Sequence, residues 1–265
     1  MSTAPASTDA LAAPPACAIV LAAGVSRRMG DALARMPKCL LRIDGRTLLD
    51  RHLLHLQRLG VPHVVLVTGY AAERIASHTV EAHRIVVQHV HNPNFREGNI
   101  LSLRCGLTQA PEGDVLVMDA DVLYHPEVLA RIVGASGLHF LLDETSTATG
   151  EEMMVATRGG RVHLLARTLP EGPWDVVGET VGFFRVPATL RSDLLDAIAA
   201  TVAAGGRDAE YETALNHLLE SHPGAFSPVG DLPWIEIDFP EDVERARSVV
   251  WPAIREAEQA TLGAP

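Results

Sequence analysis

The sequence predicts an α/β fold, with a mostly parallel sheet covered by helices on both faces and extended by antiparallel strands. Three observations predict it. The first apolar run, Cys17 to Ala23, has no polar interruption, as a strand buried on both faces requires. From there to Asp143, short apolar runs alternate with segments of helical periodicity, the order that builds parallel sheets. Beyond Asp143 two apolar segments flank Gly159-Gly160, the pattern of an antiparallel hairpin.

The elements follow in order. Cys17 to Ala23 stops at Gly24 and opens into a loop. Leu40 to Ile43 is a second short strand, closed by the turn Asp44-Gly45-Arg46. Thr47 caps a helix in which Leu48, Leu49, Leu53, Leu56 and Leu59 recur at helical spacing until Gly60. Strand His63 to Val67, helix Ala71 to Ser77 and strand Arg84 to Val90 come next, then a loop from His91 to Gly98. Helix Asn99 to Thr108, strand Asp114 to Met118, helix Pro126 to Val133 and strand Leu138 to Leu142 continue the alternation. The hairpin pairs Met153 to Thr157 with Arg161 to Leu165, and Val181 to Val186 is a further strand. Helices follow near Leu190 to Ala204 and Ala209 to Glu220. Trp234 to Asp238 is the last strand and leads into a helix from Pro240 to Val250, Pro240 being suited to a first turn. No repeat or long linker interrupts this order. Residues 16–258 are therefore expected to form one Rossmann-like domain behind a flexible tail of residues 1–15.

The composition excludes some partners. With 22 Lys+Arg against 33 Asp+Glu the formal charge is −11, which disfavours binding to nucleic acid but permits a small anionic substrate where basic residues gather locally. The 3 cysteines argue against a disulfide framework and for a reducing cytoplasm. No run is long enough to span a bilayer, and the tail lacks the basic start of a signal peptide.

Two motifs carry chemistry. The loop Leu21-Ala22-Ala23-Gly24-Val25-Ser26-Arg27-Arg28-Met29-Gly30 leaves the first strand where α/β ligands bind. Its spacing excludes a dinucleotide fingerprint, a Walker loop and a nucleophile elbow. Small residues at Ala22, Ala23 and Gly24 let backbone N–H groups approach a nucleotide, and Arg27, Arg28 and Lys38 can meet its phosphates. The plain alternative is a tight loop with solvated arginines. The second motif, Asp119-Ala120-Asp121, ends the apolar run Val115 to Met118. Two acids there are costly unless a cation such as Mg²⁺ neutralises them, although a helix cap and a solvated acid would give the same spacing.

LAAGVSRRMG followed by PKCLL resembles the signature of nucleotidyltransferases that activate sugars and small alcohol phosphates. The resemblance implies that the glycine loop holds the nucleotide and that Arg28 and Lys38 act on its phosphates. It implies that Asp121 and Asp238, the latter ending WIEID, hold Mg²⁺ together, with Asp119 nearer the nucleotide. Gly178-Glu179-Thr180-Val181-Gly182 matches a Gly-Glu-x-x-Gly segment near the acceptor; a lysine often precedes that segment in relatives, and the nearest basic residue before it here is Arg167, which keeps the charge with a different geometry. The segment His91 to Leu103, with Asn92-Pro93-Asn94-Phe95 and then Asn99 and Ser102, is similar to the phosphocholine and phosphonate cytidylyltransferase branch. Asn99 and Ser102 sit on a first helical turn, suited to a base or phosphate, or to simple capping.

The implied reaction moves CMP from CTP to a small phosphate or phosphonate such as 2-aminoethylphosphonate or phosphocholine, releases pyrophosphate, and leaves room for a homodimer. For the acceptor, Trp174, Glu179, Glu210, Tyr211 and Glu212 offer aromatic faces and acids to a cationic head group. Arg158, Arg161 and Arg185 offer the opposite charge to an anionic one. Competing readings are a nucleotidyltransferase using another nucleotide with a sugar phosphate or cofactor, a DxD glycosyltransferase, and a non-catalytic nucleotide-binding module. His52 and His55 lack a third ligand and are expected at the surface, and Cys17, Cys39 and Cys105 are expected to be small apolar packers.

Overall fold

The computed structural model describes residues 12–26, 28–29, 36–78, 85–146 and 150–262. Along the chain run β1 (Cys17–Ala22), β2 (Arg42–Ile43), β3 (Arg46–Thr47), α1 (Leu48–Arg58), β4 (His63–Thr68), α2 (Ala72–His78), β5 (Val86–His91) and α3 (Asn99–Gln109). They are followed by β6 (Val115–Asp119), β7 (Val122–Tyr124), α4 (Pro126–Val133), β8 (His139–Asp143), β9 (Met154–Arg158), β10 (Arg161–Ala166) and β11 (Val176–Val186). The last part holds α5 (Arg191–Ala203), α6 (Tyr211–Leu219), β12 (Ala225–Pro228), β13 (Trp234–Glu236), α7 (Pro240–Arg245) and α8 (Trp251–Leu262).

β1 lies at the centre, parallel to β4 on one side and β6 on the other, and β5 continues the parallel block beyond β4. The uninterrupted apolar run of β1 follows from that position. Cys17 and Ile19 enter a core with α3, α5 and α6, whereas Ala18 and Val20 enter a second core with α1 and α4. β11 runs antiparallel to β6, β8 and β9, and β10 closes the hairpin on β9. The α/β class and its antiparallel extension are thus both present.

From β1 the chain builds outward through β4 and β5, then crosses back to place β6 on the opposite side of β1. This reversal is the topological switch point where α/β folds open a crevice at the strand ends.

Several local expectations are corrected. Leu40 to Ile43 is not one strand. A 3₁₀ turn at Lys38–Leu40 precedes β2, which pairs with β3 as a small ribbon. β11 begins at Val176, so the Gly-Glu-x-x-Gly segment lies within a strand. The final helix does not end at Val250. A π-helical turn at Ala246–Val250 precedes Pro252, whose ring and missing N–H break regular α bonding, and α8 then runs on to Leu262. His52 and His55 are buried, not surface residues, because α1 packs its histidine face against Tyr124 and Glu258. Cys17 and Cys39 pack in the core as expected. Ahead of β1, Ala12 donates its N–H to Gly134 at 3.0 Å, and Ala13 accepts from Arg185 at 3.0 Å.

Candidate active site

The crevice opens where β1 and β6 end side by side, Leu21 facing Asp119 in register. A chamber of about 400 Å³ forms there. Of the nucleotide-side residues expected from the sequence, Leu21, Ala22, Ala23, Gly24, Ser26, Arg28, Lys38, Asn99, Ser102, Asp119 and Asp121 all line it. Arg27 and residues 30–35 lie outside the described residues. A Cβ on Gly24 would meet no atom within 4 Å, so the loop's backbone faces open space. Ser26 adopts a left-handed φ of 52° with a buried side chain, which turns the chain sharply behind that opening. Phe95, Arg96 and Glu97 form another wall from the loop before α3.

The carboxylates meet through a contact distant in sequence. β13 pairs antiparallel with β7, Glu236 opposite Val122, and the N–H of Ile237 donates to the Asp121 carbonyl at 3.0 Å. Asp242 in α7 accepts from the N–H groups of Asp238 at 3.0 Å and Phe239 at 2.8 Å, fixing the backbone that carries Asp238. Asp121, Glu236 and Asp238 each present a carboxylate oxygen, and these atoms lie within 4.8 Å of one another. An all-oxygen, acidic donor set of this kind suits a hard cation such as Mg²⁺. Glu236 was not anticipated. Its signal was available in WIEID, since residues two apart on an extended segment project to one side. Enclosure in the crevice, and then Asp121, Asp238 and Asp119, push its carboxyl well above the usual range.

Two cations answer these acids. Lys38 Nζ donates to Asp121 Oδ2 at 2.8 Å and also to Asp238 Oδ1. Burial works against the lysine's charge, but Asp121 and Asp238 outweigh it and hold its pKa raised. Arg28 donates to Asp238 at 2.7 Å and to Glu151 at 3.2 Å, with its guanidinium 5.0 Å from the centre of the Phe239 ring. The residues expected to meet phosphates therefore stand against the acids expected to hold the metal.

Asp119 plays a different part from Asp121. It is absent from the three-carboxylate cluster and accepts from the Tyr211 hydroxyl at 2.7 Å. Enclosure and the neighbouring Asp121 raise its pKa, and the Tyr211 bond offsets part of that. Gly182 explains itself here. Its φ is +77°, and a Cβ would sit 2.6 Å from Asp119 Oδ2. Gly178 is required by backbone alone, since a Cβ would lie 2.3 Å from the Asp143 carbonyl on β8.

Asn99 does not cap its own helix. Its Oδ1 accepts from the Tyr211 N–H at 2.7 Å and so caps α6 instead, while Gly98 occupies the α3 cap position. The first amides of α3 are partly spent as well, Gly98 N–H donating to Arg207 and Ile100 N–H to Ala209. Ser102 is buried and accepts from Asn92 Nδ2 at 3.0 Å.

A second chamber of about 610 Å³ adjoins the first, and Glu236 lines both. Asp143, Glu151, Glu152, Glu179, Asp238, Glu241 and Asp242 line it too, with Trp234 and Phe239, and Arg245 as its basic residue among the described ones. Of the acceptor-side residues expected from the sequence, Glu179 is in this chamber, and burial raises its carboxyl while Ser146 Oγ donates to it. Trp174 lines neither chamber, since its indole N–H is turned to the Pro170 carbonyl at 2.9 Å. Glu210 pairs with Arg167 at 2.5 Å, Tyr211 serves Asp119, and Glu212 is buried on α6. Arg185 is structural, bonded to Asp114 at 2.8 Å and to the carbonyls of Val133 and Ala135. Arg158 and Arg161 are exposed where β9 and β10 meet.

The switch-point crevice thus brings together a glycine loop, two cations and paired aspartates, the combination that the resemblance to nucleotidyltransferases implies. Residues 18–209 match the MobA-like NTP transferase domain, and the chain belongs to that family. It is 27% identical over 236 residues to a bifunctional IPC transferase and DIPP synthase of Thermococcus kodakarensis, covering 89% of this chain and 51% of that protein. It is 28% identical over 241 residues to a CMP-5'-(3-aminopropyl)phosphonate synthase of Streptomyces rubellomurinus, covering 88% of this chain and 38% of that one. The chain thus spans about half or less of the length of the curated relatives it matches. The inositol-1-phosphate CTP transferase from T. maritima has the same fold, with a TM-score of 0.77 at 18% identity, over 94% of this chain and 98% of that one. No helix among the described residues is long and apolar enough to cross a membrane.

Proposed function

We propose that the protein transfers CMP from CTP to a small phosphate or phosphonate and releases pyrophosphate. The observation that carries this reading is the convergence of Asp121 and Asp238, from distant parts of the chain, beside Lys38 and Arg28 at the mouth of the glycine-loop chamber. In the reaction an acceptor oxygen attacks the α-phosphorus of CTP, a new P–O bond forms, and the bond to the β-phosphate bridging oxygen breaks. The acceptor is already anionic near neutral pH, with a second pKa of about 6 by analogy with phosphoserine, and needs no general base. Catalysis is then positioning and charge neutralisation. The backbone of Ala22 to Ser26 cradles the nucleotide, in a chamber that Asn99, Ser102 and Asp119 also line. Lys38 and Arg28 take the charge of the departing pyrophosphate. Mg²⁺ held by Asp121 and Asp238, with Glu236 beside them, supplies positive charge at the phosphates when bound.

The acceptor occupies the second chamber. Its carboxylates and its aromatic residues Trp234 and Phe239 favour an acceptor with an ammonium group, such as 2-aminoethylphosphonate or phosphocholine, over a neutral polyol. A polyol phosphate is the second reading, favoured by the fold shared with the T. maritima transferase over almost the whole chain. Pyrophosphate release with CTP, ATP, GTP and UTP against aminophosphonates, phosphocholine, inositol 1-phosphate and hexose 1-phosphates separates these readings. The account expects CTP with an amine-bearing acceptor to give the highest turnover. A faster reaction with inositol 1-phosphate selects the polyol reading, and a preference for another nucleotide overturns the cytidylyl assignment.

A further inference from the structure

We propose that Lys38 is the resident counter-ion of the carboxylate cluster. Its ammonium takes the place between Asp121 and Asp238 that a divalent cation would occupy, and it is released toward the polyphosphate when metal and nucleotide enter together. The proposal rests on the metal reading of Asp121 and Asp238.

The geometry is that of a competitor. Lys38 Nζ hydrogen-bonds Asp121 Oδ2 and Asp238 Oδ1, two of the three acids whose oxygens lie within 4.8 Å of one another. An ammonium and a divalent cation repel, and both draw on the Asp121 and Asp238 carboxylates, so each disfavours the binding of the other. The lysine side chain is only 17% exposed, and those of the two aspartates are 20% and 22% exposed, so solvent screens the three-way interaction poorly. The backbone beneath it is fixed. Lys38 starts a single 3₁₀ turn anchored by buried Cys39, so the movement available to Nζ is a swing of its flexible stem.

Displacement has a cost that depends on what else is present. Moving Lys38 off the aspartates in the absence of nucleotide leaves a partly buried ammonium without a partner. A polyphosphate in the first chamber, which Lys38 also lines, supplies that partner. Arg28 on Asp238 is released by the same anion. Divalent metal should therefore bind weakly to the nucleotide-free protein and cooperatively with nucleotide, the coupling being reciprocal.

The test is Mn²⁺ binding to the full nucleotide-free chain, read from the free-ion electron paramagnetic resonance signal. Lys38→Met should bind Mn²⁺ about tenfold or more tightly than the wild type, about 1.4 kcal/mol, and Lys38→Arg should bind no more tightly than wild type. Mn²⁺ should also raise the melting temperature of Lys38→Met and barely move that of the wild type. Adding Asp121→Asn to Lys38→Met should abolish the gain. If Lys38→Met is unfolded without metal, its circular dichroism should recover with Mn²⁺ and not with sodium chloride of equal ionic strength, and failure to recover counts against the proposal. Equal Mn²⁺ affinity in wild type and Lys38→Met overturns the counter-ion role and leaves the metal reading standing. Absence of Mn²⁺ binding by both folded proteins overturns the metal reading beneath it.

Discussion

Asp121 and Asp238 each follow a short apolar strand, and neither has a structural duty comparable to its place in the cluster. Asp121→Asn or Asp238→Asn is expected to lower turnover by about 100-fold or more, the scale of losing one charge-stabilising group, while the thermal melt stays near wild type. Unchanged turnover in either variant would mean that its carboxylate is not part of the catalytic machinery. Glu212 makes a separate prediction. Burial pushes its carboxyl up to about 7 from 4.5, so between those values the folded protein holds a proton that the unfolded chain has released. Stability falls as pH rises through that window. Glu212→Gln stays neutral, so its advantage in melting temperature should widen from pH 4.5 to about pH 7, and a constant difference would refute the shift. That Asp121, Asp238 and Lys38 come together was foreshadowed by the resemblance their motifs carry, an acid ending each of two apolar runs and a Pro-Lys pair after a glycine loop. Glu236 was harder to find because its neighbours made it look like the polar face of an ordinary strand. His52 and His55 were misplaced, since the spacing within α1 says nothing of Tyr124 and Glu258, which cover that face from distant parts of the chain.

At the scale of elements, β11 shows how a motif becomes geometry. Gly178 lets the strand press against β8, and Gly182 lets it pass Asp119, so the Glu179 between them is delivered to the second chamber. Gly182→Ala combines a left-handed φ with a Cβ 2.6 Å from a carboxylate oxygen and should cost about 1–3 kcal/mol in urea unfolding. A neutral substitution would mean that Asp119 moves aside freely. The helices α1 and α4 could be read from the chain because their apolar residues recur at helical spacing, and the buried strands β1, β4 and β6 because their apolar runs are nearly continuous. β7 and β12, at 3 and 4 residues, are too short to carry a period, and the β13–β7 pairing that assembles the carboxylates is a purely long-range event. The helix expected to end at Val250 continues because a π turn that absorbs Pro252 leaves no signature in the sequence.

Across the whole molecule, charge is sorted by position. The formal −11 includes the acids of the second chamber, while Arg28 and Lys38 stand at its border with the first. The C-terminal segment is tied back by a buried ion pair, Arg51 Nε to Glu258 Oε2 at 2.9 Å, with Arg51 also bonded to the carbonyls of Arg46 and Ile43 and set over the Trp251 ring. Removing one partner strands the other in the interior, so Glu258→Ala should cost about 3–5 kcal/mol. Because α7, which precedes this segment, fixes the backbone of Asp238, nucleotide turnover should be lost at a lower urea concentration in that variant, and unchanged stability would show that α8 is not held through this pair. The central claim concerns which phosphorus becomes bonded to which. ³¹P NMR of the protein with CTP, Mg²⁺ and 2-aminoethylphosphonate follows this directly. The account predicts pyrophosphate and a new phosphonate–phosphate anhydride growing in equal amounts at the expense of CTP. CTP left intact by the folded protein, with this acceptor and with phosphocholine and inositol 1-phosphate in turn, would contradict it.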